Sequence, residues 1–126
     1  MRAAGHICID RGKRTAAFAV YHDAAETLRQ GASAVVFAEG TRSRDGRLLP
    51  FKKGPFVLAI AGQVRVVPVF IEGSYQLMPR RALYPRSGTV TLRVGEEIAT
   101  AGMTYEDRDR LSATTRRVLV SLGANE

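Results

Sequence analysis

Ala34-Val35-Val36-Phe37-Ala38-Glu39-Gly40-Thr41-Arg42-Ser43-Arg44-Asp45-Gly46-Arg47-Leu48-Leu49-Pro50-Phe51-Lys52-Lys53-Gly54 is the stretch on which the fold turns. Residues 34–37 form a continuous apolar run of strand length, which suits a strand covered on both faces. A polar loop over residues 39–53 follows, with Asp45-Gly46 as a turn inside it. The loop gathers two acids, two glycines, two hydroxyls and three arginines, and Lys52 and Lys53 then lead into a helix start at Gly54. Arginine grips phosphate with paired donors. Glycine lets backbone N–H groups come close to an anion, and a helix N-terminus adds donors and a favourable dipole. The combination suits a phosphate group. Glu39 is the odd member, because a carboxylate repels phosphate; its expected role is to orient an arginine or to hydrogen-bond a substrate hydroxyl. Composition alone also allows a solvated basic loop with a helix cap. The Gly-x4-Gly-Lys-Ser/Thr spacing of a nucleotide-binding P-loop is absent.

Outward from this stretch, the pattern alternates between helix and strand. Residues 5–9 read as the end of a short strand. Over residues 14–30, Ala17, Val20 or Tyr21, Ala24 and Leu28 recur at helical spacing, and Gly31 follows as a stop. Residues 54–61 read as a short buried helix. Residues 64–71 form a β-branched run interrupted by Pro68, which marks a strand end or edge. Residues 72–87, with Pro79 and Pro85, read as an irregular excursion, and residues 89–94 as a further strand. Thr104 with Asp107 forms a capping-box pattern. The helix it opens runs to about Leu122, with Leu111, Thr115, Val118 and Leu122 on one face. The order predicts an α/β layer with a mainly parallel sheet flanked by helices. Such sheets place ligands at the carboxyl ends of their strands, where the loop beginning at Glu39 lies.

With 126 residues, the chain is long enough for one domain and one modest core. Its net charge of +7 favours anionic partners: phosphorylated small molecules, anionic headgroups, coenzyme A or nucleic acid. The single cysteine, Cys8, lies between Ile7 and Ile9 and reads as a small buried hydrophobe. One thiol makes neither an internal disulfide nor a multi-cysteine metal site, so no metal is expected. No apolar run approaches the ~18 residues of a membrane-spanning helix, and Asp10 and Arg11 come too early for a signal peptide, so any membrane contact is expected to be peripheral.

Phe37 to Ser43 resembles the Phe-Pro-Glu-Gly-Thr-Arg-Ser block of the 1-acyl-glycerol-3-phosphate (lysophosphatidic acid) acyltransferase family. Three further blocks agree with it in order. Gly5-His6-Ile7-Cys8-Ile9-Asp10-Arg11 resembles the family's Gly-x-Ile-x-Ile-Asp-Arg block, and Arg47 to Gly54, with Pro50-Phe51-Lys52-Lys53-Gly54, the stretch after Glu-Gly-Thr. Val66-Val67-Pro68-Val69 resembles the block built around a proline. Ala38 stands where the family usually has proline. The likeness implies a glycerol-3-phosphate acyltransferase-like α/β domain spanning residues 1–126. Its implied reaction transfers an acyl group from acyl-CoA or acyl-carrier protein to 1-acyl-glycerol 3-phosphate, giving phosphatidic acid, with no cofactor beyond that co-substrate. It also implies work at a membrane surface, on the cytoplasmic face. Carried over residue by residue, Arg11 and Arg42 are implied phosphate ligands, with Lys53 a weaker anion contact. Glu39, Gly40 and Thr41 are implied to shape the acceptor pocket, and Ser43 and Pro68 its surroundings.

The family's general base is a histidine in a His-x4-Asp block, which takes the proton from the acceptor hydroxyl as that oxygen attacks the thioester. No such block is present here: His6 precedes Asp10 by one residue too few, and His22 adjoins Asp23 on a helix whose flanks look exposed. The chain therefore resembles the C-terminal part of the domain, with no catalytic residue of its own. An α/β sheet lacking its first strand and helix exposes an edge and part of its core, so the isolated chain is expected to be unstable or prone to associate. Three other readings remain. Within the family, the acceptor is another lysophospholipid or a lipid-linked amine, or the chain is a non-catalytic remnant that binds anionic lipid. Outside it, the chain is a basic nucleic-acid-binding module. Against the last, no helix-turn-helix, RNA-recognition or zinc-finger pattern is found, and aromatics do not interleave with the basic residues. Arg80-Arg81, with Leu77, Met78, Leu83 and Tyr84 around it, suits either an anionic interface or the domain's own core.

Overall fold

A computed structural model describes residues 14–79 and 82–126, with side chains from residue 21 onward. The strand expected at residues 5–9, and with it His6, Cys8, Asp10 and Arg11, lies outside the described residues, as do Arg80 and Arg81. Helix α1 is Arg14–Arg29 and α2 is Gly54–Gly62; strand β1 is Val69–Glu72; α3 is the single turn Ser74–Leu77; β2 is Thr91–Val94; a 3-10 turn, Tyr105–Asp107, leads into α4, Arg108–Ser121.

The core is built on α2. Its sequence is apolar nearly all round because it is sandwiched: α1 packs on one side and α4 on the other. Ala24, Ala25 and Leu28 of α1 meet Leu58 in one buried cluster. Phe56, Ala59 and Ile60 meet Leu111 of α4 in the second, with Ala38, Phe51, Val66 and Ile98 packed around it. Pro55 opens α2, where its missing N–H costs nothing.

Helix ends follow from local chemistry. At the end of α1, Gly31 adopts φ +97°, and the N–H groups of Gly31 and Ala32 donate back to Leu28 and Thr27, a Schellman closure. Helix α2 closes the same way on Gln63, a non-glycine residue at φ 51°. Its side chain offsets that strain by donating to the Ile60 and Met103 carbonyls and accepting from Gly102 N–H. The predicted capping box is present: Asp107 accepts from Thr104 N–H at 2.8 Å, and Leu111 and Thr115 form the buried face of α4.

The α/β layering is as expected, but the pairing among the described residues is antiparallel rather than parallel. Val69 pairs with Val94 and Ile71 with Leu92, an arrangement that needs no crossover helix between the strands. The β-branched run yields a strand only after Pro68. Val66 bridges Ile98, so two residues lie between Val66 and Val69 but three between Val94 and Ile98: a bulge opposite the proline. Pro68 has no N–H for the ladder, and its carbonyl accepts from Gly95 at 2.9 Å. The excursion after β1 is irregular except for α3.

Residues 34–37 do not form a strand, contrary to expectation, and they are not covered. Val35 is 92% exposed and Phe37 74%, and among the described residues no strand supplies the ladder that would make them one. The hairpin also exposes apolar surface. Val69, Ile71, Leu92 and Val94 share one face of β1–β2, and all are exposed. The other face carries the Arg93–Glu72 ion pair (2.7 Å) and Phe70, which lies beside Gly123 after α4.

Candidate functional site

The loop following residue 37 is closed at its base by one long-range bond: Lys52 N–H donates to the Ala38 carbonyl at 2.8 Å. The Glu39-Gly40-Thr41-Arg42 turn and the Lys53-Gly54 start of α2 therefore emerge side by side. Gly40 N–H returns to the Phe37 carbonyl at 2.9 Å, and Gly40 sits at φ +70°, a backbone state that other residues adopt only with strain. The glycine of the block is thus required by the turn itself. Thr41 and Arg42 are exposed.

Glu39 is half-buried, and its carboxylate accepts the Leu49 N–H at 2.7 Å. The bond seen is therefore to backbone, where the sequence suggests an arginine or a substrate hydroxyl. It ties the start of the loop to its return limb. Ser43 has a related local role: its Oγ accepts from Gly46 N–H at 2.9 Å and closes the predicted Asp45-Gly46 turn. The Asp45 carboxylate accepts from Arg47 N–H at 3.1 Å. Lys53 reaches Asp109 of α4 at 3.3 Å, both side chains remaining largely open to solvent. Pro68 is buried at the sheet bulge, and its hydrogen bond is with Gly95, so it belongs to the sheet rather than to the loop. Arg11 lies outside the described residues. His22 is exposed, as expected, 3.9 Å from Asp23.

Three residues that the sequence reading did not single out brace this loop. The Tyr75 hydroxyl, from α3, donates to the Arg44 carbonyl at 2.8 Å. Its ring also underlies Gly46 so closely that a Cβ there would lie 3.1 Å from Tyr75 Cδ1. The Asn125 carbonyl accepts from Leu48 N–H at 2.7 Å. Arg116, from α4, donates to the carbonyls of Leu49 (3.1 Å) and Leu48 (3.2 Å). Its Nε donates to Glu126 at 2.8 Å, and its guanidinium sits 5.7 Å over the Phe51 ring. The only sequence trace of this brace is a basic residue on a helix whose register faces the loop.

Chemically, the loop presents glycine-rich backbone, a hydroxyl and cationic side chains next to a helix start, an environment suited to an anionic oxygen cluster. Among the described residues no group of three or more His, Cys, Asp or Glu side chains is arranged to hold a metal ion. Among them, too, no helix is long and apolar enough to cross a membrane.

Residues 1–72 match the family described as Acyltransferase. Over 120 residues the chain is 37% identical to human 1-acyl-sn-glycerol-3-phosphate acyltransferase beta, covering 94% of this chain and 43% of that protein. It is 34% identical to mouse 1-acyl-sn-glycerol-3-phosphate acyltransferase alpha over 122 residues, covering 94% of this chain and 42% of that protein. The crystal structure of the 1-acyl-sn-glycerophosphate (LPA) acyltransferase from Thermotoga maritima superposes with a TM-score of 0.72 at 34% identity, over 84% of this chain and 44% of that one. The chain thus spans less than half the length of these relatives.

Proposed function

The chain belongs to the acyltransferase family, and on that premise we propose that it forms the acceptor-binding part of a lysophosphatidic acid acyltransferase domain. In this reading the Glu39–Lys53 loop takes the phosphate of 1-acyl-glycerol 3-phosphate. Arg42 supplies paired donors to the phosphate oxygens, with Arg11 as the second guanidinium. Gly40 and Thr41 offer backbone and hydroxyl donors, and Lys53 adds a more distant positive charge. Glu39 acts indirectly, by holding the loop's two limbs together. Ser43 shapes the far turn, and Pro68 sets the bulge of the neighbouring sheet.

The observation that carries the reading is the closure of residues 38–52 by the Lys52–Ala38 bond. It brings the start of the Glu-Gly-Thr-Arg turn near the N-terminus of α2, which supports a reading in which cation, hydroxyl and helix dipole act on the same anion. The whole enzyme's reaction is acyl transfer from acyl-CoA or acyl-carrier protein to the free hydroxyl of the acceptor, giving phosphatidic acid. It takes place at the cytoplasmic face of a membrane. Residues 1–126 contain no His-x4-Asp block, so this chain binds and orients the acceptor but does not take its proton.

The test is a titration of the purified chain with sn-glycerol 3-phosphate, the headgroup of that acceptor. Saturable binding is expected, and Arg42→Ala should weaken it at least about tenfold, the loss expected for a charged hydrogen-bonded pair. Oleoyl-CoA with lysophosphatidic acid should release no coenzyme A. Equal affinity for glycerol 3-phosphate and for glycerol, or turnover by the chain alone, would sink the assignment.

A further inference from the structure

We propose that Arg116 of α4 is a positioning residue for the anion-binding turn, acting through Leu49 and Glu39; the proposal rests on the acceptor-loop reading above. The peptide groups around Leu49 are gripped from two sides. On one, the Leu49 N–H donates to the Glu39 carboxylate at 2.7 Å. On the other, Arg116 donates to both the Leu48 and Leu49 carbonyls, at 3.2 and 3.1 Å. Residues 48–49 thus form a strut that runs from α4 to the first residue of the Glu-Gly-Thr-Arg turn. The guanidinium is itself fixed, by Glu126 at 2.8 Å and by the Phe51 face. Phe51 stacks in turn on Phe56 of α2, ring centroids 6.0 Å apart. The strut is therefore anchored to α4 and, through Phe51, to α2.

Arginine is the side chain that fits this position. Its planar fork reaches two adjacent carbonyls while a third edge pairs with a carboxylate, and the plane lies on an aromatic ring. A lysine carries the charge but cannot hold that geometry. Misplacing binding groups by about 1 Å costs large factors in affinity or rate, so a residue that never touches the ligand can still set how well Arg42 and Thr41 meet it. Arg117, the next residue, is the matched control. It carries the same charge, is exposed, and among the described residues donates locally, to Thr114 at 3.1 Å.

The test compares wild type, Arg116→Ala, Arg116→Lys and Arg117→Ala. It measures affinity for sn-glycerol 3-phosphate by titration, and amide hydrogen exchange at Gly40, Thr41 and Leu49. Arg117→Ala should match wild type. Arg116→Ala should weaken binding about tenfold and speed exchange at all three amides. Arg116→Lys, which keeps the charge and much of the packing on Phe51, should lie between them. Equal losses in Arg116→Ala and Arg117→Ala reduce the effect to net charge and overturn the proposal. So does unchanged exchange at Gly40 and Thr41 in a folded Arg116 variant, and Arg116→Lys decides this if the alanine variant does not fold. Absence of wild-type binding instead defeats the acceptor-loop reading, while the exchange measurement still decides whether Arg116 positions the turn.

Discussion

The loop over residues 38–53 and the β1–β2 hairpin are both excursions from the helical core, yet they are stabilised in opposite ways. The loop packs Ala38 and Phe51 against the core, and the rest of its shape comes from polar bonds to distant parts of the chain. Lys52 bonds to Ala38, Leu49 to Glu39, Leu48 to Asn125, and Arg116 to two carbonyls. The hairpin has a complete local ladder and an ion pair, but four aliphatic side chains on one face lie open. The contrast teaches that backbone satisfaction and apolar burial are separate requirements. The loop meets the first with help from α3, α4 and the last residues. The hairpin meets the first by itself and, among the described residues, leaves the second unmet on one side.

Leu111→Ala should have the largest effect. Leu111 is 0% exposed and joins α4 to Phe56, Ala59 and Ile60, so the truncation should cost about 2–5 kcal/mol in denaturant unfolding. It should also loosen the loop, whose Arg116 brace sits on the same helix. Glu39→Ala comes next, because it removes a charged acceptor from a half-buried N–H; about 1.5–3 kcal/mol is expected, with faster exchange at the Leu49 amide. If Glu39→Ala leaves that amide unchanged, the loop is not organised as described. Gly95→Ala probes the hairpin's attachment to α4. The added Cβ would sit 2.5 Å from Val118 Cγ1 and 3.2 Å from Leu122 Cδ1, and such crowding costs about 1–3 kcal/mol.

Acid gives a smaller, signed test. Asp107 is held below the usual carboxylate range, first by the Thr104 backbone N–H and then by Arg110. Because the folded value is the lower one, its stabilisation is complete above about pH 4, where the unfolded carboxylate is ionised, and is lost as pH falls through the folded value. Asp107→Asn should therefore differ most from wild type at neutral pH and converge with it in acid, read as thermal midpoint against pH. The smallest change is expected from Leu92→Thr. Leu92 is 63% exposed on the open face, so stability should move by no more than about 0.5 kcal/mol. A loss there comparable to that of Leu111→Ala would show the face to be covered in solution and would remove the contrast.

The helices were legible in the sequence because each carries its own signals. For α1 these are the spacing of Ala24 and Leu28 and the stop at Gly31; for α2, Pro55 and an apolar run; for α4, the Thr104–Asp107 box. Residues 34–37 were misread because an apolar run is compatible with a strand only if a neighbour supplies its ladder, and sequence pattern carries no information about that neighbour. The Glu-Gly-Thr-Arg block was readable from residue type. Its bracing was not, because Arg116, Tyr75 and Asn125 lie far from it along the chain and look like ordinary surface residues.

Local chemistry thus determined, from sequence alone, where helices begin and end, that Pro68 interrupts a strand, and which loop concentrates donors for an anion. Those are properties of a few consecutive residues. Tertiary structure alone decided that Glu39 bonds a backbone amide, that the sheet pairs antiparallel, and that α4 supports the loop. Each depends on groups ten or more residues apart being brought together, and only the packing of α1, α2 and α4 around one core brings them there.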